Sequence, residues 1–195
     1  SNTTVDVSTV NVLENENRIP INYKLPPGIV REQLNNFNSV IRQNEQSLSL
    51  RVQDLEPKDL KGVYKNIDVD MRQYKRIKMF IHAESVPNRT PLPGDGSLDD
   101  LDKSMVAFMR IGTDMTENYY QIEVPLQPTP YTEGVANNLS AEEVWQPESN
   151  SIDAPLSLFT GAKAKSIQNR SLVGATYFDE DLNQVQVRPF ENTLA

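Results

Sequence analysis

The sequence has no cysteine, a single histidine and no long hydrophobic run, and each shortage removes a class of function. Without cysteine there are no disulfides, thiolate metal sites or thiol nucleophiles. A serine–histidine–aspartate triad would have to use His82, and a zinc site built from several imidazoles is impossible. No apolar stretch approaches the roughly 20 residues of a membrane-spanning helix, and no signal peptide is recognisable. The chain begins with Ser1 rather than Met, and we expect a segment of a longer protein.

Positive charge is also scarce, because 19 Lys and Arg stand against 27 Asp and Glu and the net charge is −8. Nucleic-acid binding needs a clustered basic surface, so this balance argues against it and equally against an anionic membrane surface. The eight glycines form no phosphate-binding loop, and no nucleophile elbow or dinucleotide fingerprint occurs. We therefore predict a protein that is not an enzyme, with no catalytic, cofactor-binding or metal-binding residues.

What is abundant is alternation of apolar and polar residues, which is typical of half-buried strands. Residues 47–52 place Leu48, Leu50 and Val52 on one predicted face, and residues 62–69 are a weaker strand candidate. The strongest candidate is 74–85, where Ile77, Met79, Ile81 and Ala83 share a face. His82 falls on the opposite face and is interpreted as a structural residue.

Two further strands, 105–111 and 119–126, flank a short connection and predict an antiparallel hairpin. Pro125 lies in its second arm, which predicts a sheet edge or a bend there. Residues 176–190 indicate two short extended pieces around a turn.

A short helix is predicted over 154–167. Asp153 is interpreted as its N-cap, Pro155 fits its first turn, and its apolar side should dock on the sheet.

Thirteen prolines separate these elements, and the Pro-rich stretch 87–103 and the excursion 127–150 are predicted loops. Short strands, one docked helix and long Pro-rich loops predict a mainly β protein, a β-sandwich of jelly-roll or galactose-binding-like type. Residues 1–17 are predicted to be an extended or disordered arm, and 18–195 a single β-sandwich domain.

Three groups of side chains are candidates for a binding or catalytic site. The first is an acidic loop that could hold calcium, with Asp95, Asp99, Asp100 and Asp102. Its spacing does not match an EF-hand, and neither does that of the acidic residues 179–181. A solvated turn is the preferred interpretation of both segments. Glu84 and Glu123 could form a glycosidase pair only at a separation that sequence does not establish. Tyr119, Tyr120, Tyr131 and Trp145 could line a sugar platform, although core packing uses most large aromatics.

Several segments, in order, resemble the SprA/Sov family of Bacteroidetes gliding motility and type nine secretion. They are 14–18 (ENENR), 20–29 (PINYKLPPGI), 43–50 (QNEQSLSL), 68–84 (DVDMRQYKRIKMFIHAE), 108–112 (FMRIG), 119–126 (YYQIEVPL) and 142–145 (EEVW). Each segment is short, but the combination of these segments in the same order is specific to the family. The family's later strand with a VWVNELR-type motif does not follow Phe190, so the sandwich is expected to lack its final strand.

The resemblance implies a very large outer-membrane β-barrel that conducts folded proteins to the cell surface. These residues lack the lipid-facing dyad repeat of roughly ten-residue strands, so we expect a soluble portion on the extracellular or periplasmic side, not itself inserted in the membrane. The implied role is structural or gating, and the implied partners are the rest of the barrel, a PorV-like shuttle protein and a plug protein. The alternative is a carbohydrate-binding module of a cell-surface protein.

Overall fold

The computed structural model describes residues 2–36, 39–56, 59–84, 105–114, 116, 119–130, 138–168, 177–178 and 186–188. Its strands are β1 (Thr4–Asn11), β2 (Gln33–Asn36), β3 (Ser39–Arg42), β4 (Gln46–Gln53), β5 (Arg76–Phe80), β6 (Val106–Gly112), β7 (Tyr119–Pro125), β8 (Ser151–Pro155), β9 (Tyr177–Phe178) and β10 (Gln186–Arg188). Its helices are α1 (Val12–Asn15), α2 (Ala141–Trp145) and α3 (Ser157–Gln168), with a 3₁₀ turn at Met71–Gln73. The protein is mainly strands with a few short helices, as predicted, and none of the described helices is long and apolar enough to cross a membrane.

The chain divides into two compact units, which we call unit 1 (residues 1–70 and 131–141) and unit 2 (71–130 and 142–195). All the described strand pairs are antiparallel. Unit 1 holds the ribbons β1–β4 and β2–β3, while unit 2 holds the pair β5–β8 and a four-stranded sheet ordered β6-β7-β10-β9. The predicted division into an arm and one sandwich domain stays a prediction.

Unit 1 begins with β1, within the segment predicted to be extended or disordered. Asn11 ends this strand and caps α1: its Oδ1 accepts the Glu14 amide at 3.0 Å, and its Nδ2 donates to Glu14 Oε2 at 2.9 Å. This is a variant of the capping box, in which Glu14 accepts from the Asn11 side chain and Asn15 Oδ1 accepts the Asn11 backbone N–H at 2.9 Å. Asn11 is 2% exposed. Residues 26–29 form a turn, in which Ile29 N donates to Pro26 O at 3.0 Å and Gly28 has a φ of 77°. Glycine at the third position of such a turn supplies the positive φ that a type II turn requires.

Unit 2 is built on the predicted hairpin, which is confirmed as β6 and β7 in continuous register from Val106↔Pro125 to Gly112↔Tyr119. The prediction that Pro125 marks a sheet edge is wrong, because β10 pairs with the other side of β7 at residues 121–123. Pro125 is the last residue of β7 and lies beyond this pairing, so its missing N–H costs the ladder nothing there.

The core of unit 2 lies between the β6–β7 hairpin, the β5–β8 pair and α3. Its buried members are Ile122, Val124, Ile152, Ala154, Phe159 and Ala162, with Ile77 and Met79 packed against them. The predicted inward face of 74–85 is therefore confirmed at Ile77 and Met79, although β5 ends at Phe80. The helix docks as predicted, through Phe159 and Ala162.

The predicted start of this helix is wrong. Asp153 is not an N-cap but the middle residue of β8, where it lies opposite Lys78, and α3 begins only at Ser157. Alternation explains the outcome: Ile152 and Ala154 are buried at 1% and 0% exposure while Asp153 points outward. Burial of two apolar side chains against the core outweighs local helix-capping preference.

The weaker strand candidate 62–69 is not a strand; residues 61–70 are exposed throughout and have no regular secondary structure. The two predicted pieces within 176–190 are confirmed as β9 and β10, which pair antiparallel. The turn predicted between them lies outside the described residues.

Candidate functional site

Exposed apolar side chains are concentrated in unit 1. Of the sixteen large hydrophobic residues exposed among those described, fourteen lie within residues 1–70 and two, Tyr74 and Val106, lie in unit 2. Buried apolar residues show the reverse distribution: among those whose burial the structure describes, Ile21 and Tyr23 are the two in unit 1. Unit 2 therefore has an ordinary core, whereas unit 1 presents much of its apolar surface outward.

The best-defined part of this surface is one face of the β1–β4 ribbon. Residues directly opposite in an antiparallel pair share a face, so the register places Val5 with Val52, Val7 with Leu50 and Thr9 with Leu48 on the same side. Within this set Val7, Leu48, Leu50 and Val52 are 53%, 57%, 45% and 39% exposed. We call this set the aliphatic face. The sequence predicted that Leu48, Leu50 and Val52 share one face of a half-buried strand, but the prediction that this face is buried is wrong within the described structure.

The opposite face of the ribbon is polar, with the cross-strand pairs Asp6↔Arg51 and Ser8↔Ser49. Next to these, the Tyr23 hydroxyl lies 2.7 Å from Ser47 Oγ and donates to Glu45 Oε2 at 2.6 Å. Burial and the hydrogen bond to Glu45 raise the pKa of the Tyr23 phenol above its ordinary range. Tyr23 is 8% exposed, so the chain packs its own residues on part of the polar side and leaves the aliphatic face open.

A second feature is a shallow cleft on the outer side of β5–β8, about 260 Å³ in volume. It is lined by Lys78, Met79, Phe80, Pro147, Glu148, Ser151, Ile152 and Asp153. Two of its charged residues, Lys78 and Asp153, are already engaged, because Asp153 Oδ1 lies 2.8 Å from Arg76 Nε and its Oδ2 lies 3.2 Å from Lys78 Nζ. Small-molecule sites are usually enclosed and larger, roughly 300–1,000 Å³, so this cleft is a weak candidate.

We expect the ion pairs of Asp153 to be visible in its titration. The hydrogen bond from Arg76 is the largest influence; it lowers the pKa of the Asp153 carboxyl against an opposing desolvation effect, and Lys78 lowers it further. Because the folded pKa is depressed, the stabilisation is present above the unfolded pKa of about 3.9 and is lost as the pH falls through the folded value. Carboxyl NMR titration should show a midpoint below 3.9 that rises in Arg76→Gln and does not move in the control Lys75→Gln. An unchanged midpoint in Arg76→Gln would show that the pair does not persist in solution.

The third feature is a ladder on the side of the β6–β7 hairpin that faces away from the core. Arg110 Nε donates to Gln121 Oε1 at 2.9 Å, Gln121 Nε2 donates to Glu123 Oε1 at 2.5 Å, and the Arg110 guanidinium stacks 3.8 Å from the Tyr119 ring centre. Gly112 lies opposite Tyr119 and leaves space for this ring. Gln121 is 3% exposed. These groups satisfy one another, which is typical of a structural network.

The carboxylates weighed as a glycosidase pair each have a partner of their own. Glu84 Oε2 lies 3.9 Å from His82 Nε2, and Glu123 belongs to the ladder with Gln121. His82 also packs beside the Trp145 ring at a centroid distance of 5.8 Å, with its side chain 17% exposed. This surrounding agrees with its interpretation as a structural residue.

The aromatic residues weighed as a sugar platform do not share one surface in the described structure. Trp145 is 5% exposed and packs edge-on against Phe80, and Tyr120 packs against Phe159 at 5.2 Å between ring centres. Tyr119 stacks on Arg110 on the other side of the sheet from Tyr120, because neighbouring residues of a strand point to opposite faces. Tyr131 lies outside the described residues.

Among the described side chains, no group of three or more His, Cys, Asp or Glu lies close enough together to hold a metal ion. The acidic loop with Asp95, Asp99, Asp100 and Asp102, like residues 179–181, lies outside the described part of the chain. The interpretation of these residues as solvated turns, in preference to calcium sites, therefore stays a prediction.

Comparison with known proteins assigns the chain to a family. No curated protein matches it. A family model described as "Motility related/secretion protein" matches residues 1–190, which is nearly the whole chain. The chain thus belongs to the SprA_N family of motility related/secretion proteins, as its resemblance to SprA and Sov predicted.

Proposed function

We propose that this chain is a non-enzymatic structural or gating part of an outer-membrane protein-export machine that serves gliding motility and type nine secretion. Membership of a motility and secretion family supports the process. The single observation that carries the structural role is the aliphatic face of unit 1, a contiguous apolar surface with the polar face of the same ribbon behind it. Apolar patches that remain exposed usually mark interaction sites.

The proposed use of the aliphatic face is docking onto the remainder of the export machine. Val7, Leu48, Leu50 and Val52 are each about half exposed, and full burial of such side chains contributes roughly 1.5–3 kcal/mol each. Covering the exposed halves of these four side chains would contribute about 3–6 kcal/mol before association costs are subtracted.

The partners we propose are the rest of the same outer-membrane protein, a PorV-like shuttle protein and a plug protein. The chain would lie on the extracellular or periplasmic side, as a portion that does not itself enter the membrane. A role without catalysis is supported by the contacts of Glu84, Glu123 and His82, whose side chains take part in packing and in structural pairs.

A sandwich architecture for unit 2 is part of this proposal. The β5–β8 pair and the β6–β7 hairpin contribute to one core, with Ile152 and Ala154 from one side and Ile122 and Val124 from the other. Face-to-face packing of two sheets around a shared core is the defining feature of a sandwich. The helix α3 would close one end of that core through Phe159 and Ala162.

The function is tested with two matched pairs of substitutions made in the intact gene. Val7→Ser with Leu50→Ser makes one cross-strand pair of the aliphatic face polar, and we expect secretion and gliding to fall at least about tenfold by loss of docking energy. Ser8→Ala with Ser49→Ala changes the neighbouring pair on the other face and should leave both activities near normal. Circular dichroism verifies that each variant folds. Normal secretion in the folded Val7/Leu50 variant would refute the docking role.

A further inference from the structure

The outer edge of β1, the side that faces away from β4, is a second feature of the same ribbon. β1 pairs with β4 over eight consecutive residues, and the described part of the chain contributes no strand to its other side. Residues 6–9 are all exposed, so both faces of the strand are open as well as this edge. Two strands alone are marginally stable in water.

β1 lacks most of the features that normally protect a free edge, and its one charged residue, Asp6, lies opposite Arg51 of β4. Its sequence, TVDVSTVN, has no proline and no lysine, and its register with β4 runs without a bulge. Natural proteins protect long edge strands with such features, because an unprotected edge strand pairs with other chains. An unprotected edge of eight residues therefore indicates that a further strand occupies it in the assembled protein.

We propose that the outer edge of β1 binds an antiparallel strand of a partner polypeptide, with aliphatic residues opposite Val5 and Val7 and a lysine or arginine opposite Asp6. This inference rests on the proposed docking role of the ribbon and names the kind of segment that docks. Backbone hydrogen bonds along an edge give affinity, and alternating side chains give specificity. The occupant would extend the aliphatic face by one strand.

The chemistry of the occupant is read from β4, the strand that already complements β1. In that pairing Val5 lies opposite Val52, Val7 opposite Leu50 and Asp6 opposite Arg51, so these three residues face an aliphatic side chain or the opposite charge. A second copy of β1, paired antiparallel about Val7, would instead place Asp6 opposite Ser8 and supply no cation. Charge complementarity therefore favours a β4-like strand from a partner over a second copy of this chain.

The test uses a synthetic peptide with the sequence of residues 45–54 (EQSLSLRVQD) as probe, added to the full 195-residue chain. Hydrogen exchange followed by NMR should show alternate amides of β1, those facing away from β4, protected at least about tenfold at saturating peptide, with no loss of protection in β4. Two peptides N-methylated on alternate residues separate edge binding from face binding: one should lose binding and the other retain it. Replacing the arginine of the peptide with glutamate should weaken binding about 3–10-fold.

Three results would overturn the proposal: unchanged exchange of β1, equal binding of both N-methylated peptides, or loss of protection in β4, which would mean that the peptide replaces β4. A dimer formed through β1 in the absence of peptide, detected by sedimentation, would show that the occupant is a second copy. The outcome is separable from the secretion test, because edge pairing is measured in vitro and docking of the aliphatic face is measured in cells.

Discussion

Replacing Asn150 with alanine is expected to lower the free energy of unfolding of unit 2 by about 1.5–4.5 kcal/mol. Asn150 is 0% exposed, and its side-chain amide pairs with both backbone polar groups of Gln127. Its Oδ1 accepts Gln127 N at 2.8 Å, and its Nδ2 donates to Gln127 O at 2.7 Å. Its own backbone is also used, since its carbonyl accepts the Ile81 amide at 2.9 Å. Alanine would remove both partners. Gln127 N would lose its acceptor, at a cost of about 1–3 kcal/mol, and Gln127 O would keep only the longer bond from Gln146 Nε2 at 3.4 Å, at a cost of about 0.5–1.5 kcal/mol.

Urea denaturation followed by the fluorescence of Trp145 measures this change, because the only tryptophan is buried in unit 2. Asn66→Ala is the control, since Asn66 is exposed in the irregular segment of unit 1, and a shift within about 0.5 kcal/mol is expected. A change below about 1 kcal/mol in Asn150→Ala would show that solvent replaces the two hydrogen bonds and that the bridge to Gln127 is dispensable.

Truncating Ile122 to alanine should destabilise unit 2 by a comparable 2–5 kcal/mol. Ile122 is 0% exposed and lies at the centre of the four-stranded sheet, opposite Met109 of β6 and Val187 of β10. Its side chain packs in the same cluster as Ile152 and Phe159, so removing three carbons leaves a cavity that strands paired on both sides of β7 are poorly able to close. The midpoint of the urea transition is again the measurement.

Two comparisons sharpen the interpretation of Ile122→Ala. Ile122→Val removes one methylene and should cost about 0.5–1.5 kcal/mol, so the series gives a graded response. Val106→Ala, at a position that is 50% exposed at the end of β6, should cost less than about 1 kcal/mol. Equal effects of Ile122→Ala and Val106→Ala would place the core of unit 2 elsewhere.

Local patterns predicted those elements whose partners are close in sequence. The β6–β7 hairpin was predictable because its two arms alternate in polarity and its connection is short. The turn at Gly28 was predictable because proline and glycine restrict or extend the backbone torsions available there. The capping box of α1 also has a readable signal, Asn11 followed three residues later by Glu14, although the prediction of an arm for 1–17 did not use it.

Elements that depend on distant partners were not predictable in the same way. Asp153 carries a good N-cap signal, yet it lies in a strand because residues 151–155 pair with β5, more than 70 positions earlier. Asn150 gives no local sign of its role, because a buried asparagine in a Pro-rich segment looks like any other polar loop residue until Gln127 is placed beside it. Tertiary pairing decides such positions.

The candidate site was also predictable in part, from local sequence, and in part not. Alternation placed Leu48, Leu50 and Val52 on one side of a strand, and that is where they lie. Alternation does not tell whether an apolar face is covered by the chain itself or by another molecule, and here the described residues leave it open. The surface was therefore found from exposure in the structure and not from the sequence.

The two units are suited to different tasks. Unit 2 has its own core and its polar groups are satisfied by networks such as Arg110, Gln121 and Glu123, which suits a self-supporting domain. Unit 1 has few buried apolar residues and many exposed ones, which suits a part that completes its packing by association. On this account the chain contributes to secretion through surfaces that it presents to partners.

The most direct test of this claim is the accessibility of the aliphatic face in the living cell. The chain has no cysteine of its own, so Leu50→Cys introduces one thiol on that face and Asn66→Cys introduces one at an exposed control position. The rate of maleimide labelling is compared between the purified chain and the same chain in its assembled machine. We predict that Leu50→Cys is labelled readily in the purified chain and at least about tenfold more slowly in the assembly, relative to Asn66→Cys. Equal relative rates in the two settings would contradict docking through this face.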